Sequence, residues 1–134
     1  MARLSSEQAA FWLAHWRGLR CWGSALPVAI RERDGWGSEG AVYFISGDVP
    51  RELELALGDD EADGYATILH ELAHVYHGRH HGPAWRRGYM AAVAEASGVP
   101  LADIQRKHGP LRSKQRCDRA ARATMERWIR NGRA

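Results

Sequence analysis

The chain is short of cysteine, of uninterrupted apolar sequence and, over its last thirty residues, of acidic charge. Only Cys21 and Cys117 occur, far apart and without a C-x-x-C partner, so neither a disulfide framework nor a cysteine-based zinc ribbon is encoded. Two unrelated thiols in a reducing compartment fit this usage best. Every apolar stretch is broken by a charge within a few residues, well short of the roughly 20 residues that a membrane-spanning helix requires. The first twenty residues, MARLSSEQAAFWLAHWRGLR, contain no uninterrupted apolar region and no small-residue cleavage site. The expectation is a soluble, cytoplasmic protein without a membrane partner.

The shortage of acid is local. Residues 105–134 hold ten Lys and Arg against Asp118 and Glu126, a net of +8 in a chain whose formal charge is +3, so the first 104 residues carry −5. Such asymmetry points to an anionic partner, nucleic acid above all. The basic residues (Arg112, Lys114, Arg116, Arg119, Arg122, Arg127 and Arg130 among them) spread around a helix instead of forming one stripe. Sequence-nonspecific phosphate contact and simple solvation both account for that pattern. The length of 134 residues and 45% hydrophobic content suit one core. We expect a domain over 1–104 and a basic helical extension over 105–134 packed on it.

Ser5 with Gln8 reads as a capping box opening a first helix to about Trp16. Leu26–Asp34 and Ala41–Ser46 read as strands joined by the Gly-rich turn at 34–40, and Leu53, Leu55 and Leu57 alternate with charge in a third. The acids Asp59, Asp60, Glu61 and Asp63 precede a helical pattern that runs from near Asp60 to Gly78. Gly82-Pro83 opens another, ending at Gly98, and a final helix is expected over Ser113–Arg130. The expected fold class is α+β: an N-terminal helix, a small, mainly antiparallel three-stranded sheet, a helix packed on it, and two further helices.

That packed helix contains His70-Glu71-Leu72-Ala73-His74, an H-E-x-x-H pattern. Four residues at about 100° each bring the second imidazole to within roughly 40° of the first and about 6 Å along the axis, so both reach one metal. Glu71 lies on the same side, a carboxylate placed to take a proton from metal-activated water. The chain has seven histidines, and chance would supply such a pattern in roughly 1–2% of sequences of this composition. A catalytic zinc takes three protein ligands and keeps one position open. The third candidates are His77, His80 and His81. His77 is too early for the chain to have turned back and reads as a solvent-facing residue of the last helical turn; spacing alone does not separate the other two.

The segment HELAHVYHGRHHGPAW resembles the active-site segment of SprT-like zinc metalloproteases, in which H-E-x-x-H is followed after a variable gap by H-G-P-x-[FW]. The resemblance implies a zincin-like fold, Zn2+ as cofactor, His70, His74 and His81 as ligands, Glu71 as catalytic base and Trp85 as an anchoring aromatic. The WLM family is similar too, and its spacing lands on His80. His81 stands directly before the Gly82-Pro83 helix start and four residues before Trp85, a register that favours it. The likeness extends over about residues 41–93, its specific part being the 16 residues quoted. It lacks the C-terminal cysteine ribbon common in SprT proteins and is nearer to small phage and bacterial proteins with a minimal HExxH plus HGP arrangement.

The expected function is zinc-dependent hydrolysis of a protein or peptide substrate, near nucleic acid if the basic C-terminus binds it. Two rivals stay open: a nucleic-acid-binding accessory or anti-defence protein with a structural metal, and a zinc hydrolase of a non-protein amide or ester. Tyr65, Tyr76 and Tyr89 read as core residues before oxyanion donors. The six tryptophans read as packing, with Trp36 in its Gly-rich turn the one candidate substrate contact.

Overall fold

The computed structural model describes the backbone of residues 3–23, 29–32, 40–46, 51–56, 60–78 and 80–133, with side chains over 3–5, 7–23, 60–78 and 80–133. Local sequence sets the helix ends. α1 (Ser6–Trp16) starts at a reciprocal cap: the Ser5 hydroxyl accepts from the Gln8 N–H at 3.1 Å, and the Gln8 side chain accepts from the Ser5 N–H at 2.9 Å. α2 (Glu61–His77) is capped by Asp60, whose carboxylate accepts from the Asp63 N–H at 2.9 Å. α3 (Pro83–Ser97) has proline in its first turn and stops at Gly98 in the left-handed region. α4 (Leu101–His108) follows Pro100, and α5 (Lys114–Arg130) begins at Ser113, whose hydroxyl accepts from the Arg116 N–H at 3.1 Å.

One cluster of buried side chains joins these helices. α1 contributes Leu13 and Trp16, α2 Ile68, Leu69 and Leu72, α3 Trp85, Tyr89 and Val93, and α5 Met125 and Trp128. The rings of Trp12, Trp16, Tyr65 and Trp128 form an aromatic group in which Trp12 and Trp128 meet edge-on at 5.3 Å and Tyr65 and Trp128 at 5.2 Å. Trp22 stacks on Tyr76 at 4.8 Å and donates its indole N–H to the Trp16 carbonyl at 2.8 Å. The five tryptophans with described side chains therefore serve packing. Both thiols are free. Burial, and Glu95 beside it, pushes Cys21 up to about 12, and burial pushes Cys117 up to about 11, so neither is a reactive thiolate near neutral pH.

The expected α+β class is corrected. Where side chains are described, the molecule is all-helical, with five α-helices and no strand, and every buried residue of its core other than Leu4, just before α1, lies on a helix or a helix connection. The apolar face of α2 is met by α1, α3 and α5, so helix-on-helix packing builds the body around the motif helix. Along 29–56 the backbone forms β1 (Ala29–Glu32), β2 (Gly40–Ser46) and β3 (Arg51–Ala56), paired antiparallel in the order β1-β2-β3, with Ile30 opposite Ile45 and Tyr43 opposite Leu53. The outer parts of the first expected strand, Leu57, and the turn bearing Trp36 lie outside the described residues.

The count of later helices is also corrected: three follow α2, not two. α4 is eight residues long with Ile104 as its one buried side chain, too short and too polar for a periodic signal. It spans the expected domain boundary at 104–105. Cys117, Ala120, Ala121, Met125 and Trp128 of α5 are all buried in the common core. Among the described residues no helix is long and apolar enough to cross a membrane.

The charge asymmetry partly cancels on folding. Arg122 reaches Asp60 at 2.5 Å, Asp63 at 2.7 Å and Glu126 at 2.6 Å, and Arg133 pairs with Glu61. The acidic run before α2 thus faces the basic helix as well as complementing its own helix terminus. The cap bond from the Asp63 N–H, together with Arg122, holds the Asp60 carboxyl below its usual range.

Candidate metal site

α2 presents His70, Glu71 and His74 on one side, and the connection to α3 returns His81 to the same place. Gly78 makes that return possible. It stops α2 with φ 90° and ψ 178°, a backbone conformation essentially restricted to glycine. Its carbonyl also accepts from His74 Nδ1 at 2.9 Å. Past the turn, the Arg86 guanidinium donates to the His81 carbonyl at 2.8 Å and steadies the loop against the first turn of α3. Gly78→Ala is therefore expected to cost about 1–3 kcal/mol in urea denaturation of the metal-free chain; an unchanged midpoint would show that the turn relaxes without strain.

The ligand atoms of His70, His74 and His81 all lie within 4.8 Å of one another, and His74 Nε2 and His81 Nε2 are 3.0 Å apart. Zinc–nitrogen bonds of about 2.0–2.1 Å in a tetrahedral arrangement separate neighbouring nitrogens by about 3.3 Å. The triad is thus close to the spacing of three imidazoles on one such ion. Tautomers agree with that use. His70 Nδ1 lies 2.8 Å from Asp118 Oδ1, and an ionised carboxylate only accepts, so the ring proton sits on Nδ1. His74 Nδ1 likewise donates to a carbonyl. In both rings Nε2 keeps its lone pair for a metal. Burial, foremost, lowers the pKa of His74 and of His81, with neighbouring positive charge adding to it at His81. Both rings stay neutral, as ligands must, to lower pH than an ordinary histidine.

Trp85 is the platform under all three. Its ring is 1% exposed, stacks on His74 at 5.0 Å, and meets His70 at 4.7 Å and His81 at 4.6 Å edge to face. Its indole N–H points to the His70 carbonyl at 3.4 Å. Among the other two candidates, His80 is exposed and outside the triad. His77 lies over Gly88 of α3: a β-carbon there would stand 2.2 Å from the His77 ring. That close approach turns it away from the cluster. Glu71 Oε1 lies 3.8 Å from His70 Nε2, beside the ligand atoms and beyond direct hydrogen-bond reach.

Asp118 is the residue that sequence reasoning missed. It lies 48 positions from His70 on a helix read only for its positive charge, and no spacing rule connects the two. Its carboxylate accepts from His70, from the buried Tyr89 hydroxyl at 2.9 Å and from Lys114 Nζ at 3.1 Å. Partial burial opposes its ionisation, but the hydrogen bonds, that from His70 first, outweigh it and lower its pKa. Tyr89 is raised well above the usual phenol value, by burial first and then by Asp118. Its hydroxyl is committed to orienting Asp118. Tyr65 donates to Glu61 at 2.7 Å and Tyr76 points to the Arg17 carbonyl at 3.4 Å, so neither reaches the triad.

The His70 and Glu71 side of the cluster opens into a cleft of about 740 Å³ between α2 and α5. Compared with known proteins, the chain matches no family model, no curated protein and no solved structure.

Proposed function

We propose that the chain is a cytoplasmic zinc-dependent metallohydrolase that cleaves peptide bonds in the manner of the SprT-like metalloproteases. The observation that carries the reading is the meeting of three imidazoles and one carboxylate at the mouth of a cleft. Among the described residues His70, His74 and His81 supply three ligands, the number a catalytic zinc takes. When bound, zinc supplies a Lewis acid that polarises the scissile carbonyl and activates water. Glu71 accepts the proton of the attacking water and returns it to the departing amine. Asp118 and the Gly78 carbonyl hold the His70 and His74 rings in the ligating tautomer, and Trp85 fixes the planes of all three. Peptide bonds, rather than other amides or esters, are favoured by the likeness of His70–Trp85 to the SprT segment.

The test is metal loading followed by hydrolysis. The purified full chain is expected to bind one zinc and, so loaded, to release fragments from unfolded casein; 1,10-phenanthroline stops the release and added zinc restores it. Zinc bound at one equivalent with no cleavage of casein, or of small amide and ester substrates, would return the site to a structural role.

A further inference from the structure

The cleft has a floor and a wall of different character. The α2 floor carries Asp63, Ala66, Thr67, His70 and Glu71, with small side chains at 66 and 67 beside His70 and Glu71. The α5 wall carries Lys114, Asp118, Arg119 and Arg122. Pairing removes most of this charge from use. Arg122 is engaged by three carboxylates and Lys114 by Asp118. Arg119 lines the same cleft, is exposed, and meets no acid among the described residues. Of the three acids of the cleft, Asp63 is held by Arg122 and Asp118 by His70 and Lys114, while Glu71 is the proposed base. What remains in the cleft besides Glu71 is one planar guanidinium able to take a carboxylate through two parallel hydrogen bonds.

We infer that Arg119 selects peptide substrates bearing an acidic side chain next to the bond presented to Glu71, an inference that rests on the hydrolase reading above. The cleft volume is that of a site for a small ligand or a few residues of extended chain. A nucleic-acid strand is instead tracked by a continuous basic groove with stacking aromatics, whereas Arg112, Arg116, Arg127 and Arg130 lie outside this cleft and its one aromatic lining residue, Tyr89, is fully buried.

The experiment uses the zinc-loaded full chain carrying Glu71→Gln, so that binding is read without turnover. A tetramethylrhodamine-labelled hexapeptide of glutamates and its glutamine counterpart serve as probes in fluorescence anisotropy. The acidic peptide is expected to bind about tenfold tighter, the effect of one charge-assisted hydrogen-bonded pair. Adding Arg119→Glu brings the two affinities together, and adding Arg130→Glu, the same charge change at the far end of α5, leaves the preference in place. Equal affinity of the two peptides overturns the inference, as does equal loss of preference in the two charge reversals. Tighter binding of oligothymidylate than of the acidic peptide, abolished by Arg119→Glu, also overturns it and assigns the residue to nucleic acid. Cleavage by the chain with Glu71 intact is scored separately. The preference without cleavage of either peptide upholds recognition and rejects the hydrolase reading; cleavage without the preference rejects recognition alone.

Discussion

Replacing Glu71 by Gln is expected to leave one zinc bound per chain and to slow casein hydrolysis by about 10²- to 10⁴-fold, the usual contribution of a positioned general base. The substitution keeps the side chain's shape and its capacity to hydrogen-bond, and removes only the ability to take a proton. Glu71 is not in the group of three ligand atoms, His70, His74 and His81, that could hold one ion. Metal affinity and catalysis should therefore separate. Metal content after dialysis and initial rates at saturating zinc measure the two quantities on one preparation. A rate within about threefold of the parent would remove Glu71 from the mechanism. Loss of zinc along with the rate would make the carboxylate part of the coordination shell.

The site was more legible than the fold because its signals are local. Helix periodicity alone sets His70, Glu71 and His74 on one side, and the Gly78 and Gly82-Pro83 signals mark where the chain must turn to bring His81 back. Caps are local too: Ser5 with Gln8, Asp60, Ser113 and Gly98 all act within a few residues of themselves. What the sequence does not express is who meets whom across the core. Tyr65 of α2 is packed by Trp12 and Trp128 from opposite ends of the chain, and nothing in the spacing of these residues announces it. The α+β expectation failed for that reason: the amphipathic pattern of α2 records that one face is covered and is silent about whether helix or strand covers it. α4 was missed because eight residues with one buried side chain fall below the length at which a period can be counted.

The basic C-terminal segment shows the same limit in electrostatic form. Counting charge along the chain separates −5 from +8, yet folding sets Arg122 against Asp60 and Asp63, and Arg133 against Glu61. A truncation ending at Lys107, the obvious test of a nucleic-acid role for this segment, would also remove Met125 and Trp128 from the core and Asp118 from His70. Loss of binding in such a chain would report unfolding. Single charge reversals on the exposed side of α5 keep the core whole and so isolate the electrostatic question.

Asp118 offers the sharper probe of how α5 serves the site. Asp118→Asn is expected to weaken zinc binding by about 10- to 100-fold, the range seen when a partner that orients a ligating histidine is altered. The amide keeps an oxygen for the ring N–H of His70 and for the Tyr89 hydroxyl, but loses the charge that raises the basicity of the imidazole. The side chain is about one-third exposed, at 35%, so the change leaves no buried polar orphan and the thermal midpoint of the metal-free chain should scarcely move. Lys114→Met supplies the comparison. It takes away the lysine partner of Asp118 while sparing the 2.8 Å contact with His70, and its zinc affinity should stay within about threefold of the parent. Competition against a chelator of known affinity reads each value directly. Were Asp118→Asn to bind zinc as tightly as the parent, the contact would be a packing feature of α5. Were both variants weakened alike, the general field of the helix, rather than the bond to His70, would be what tunes the site.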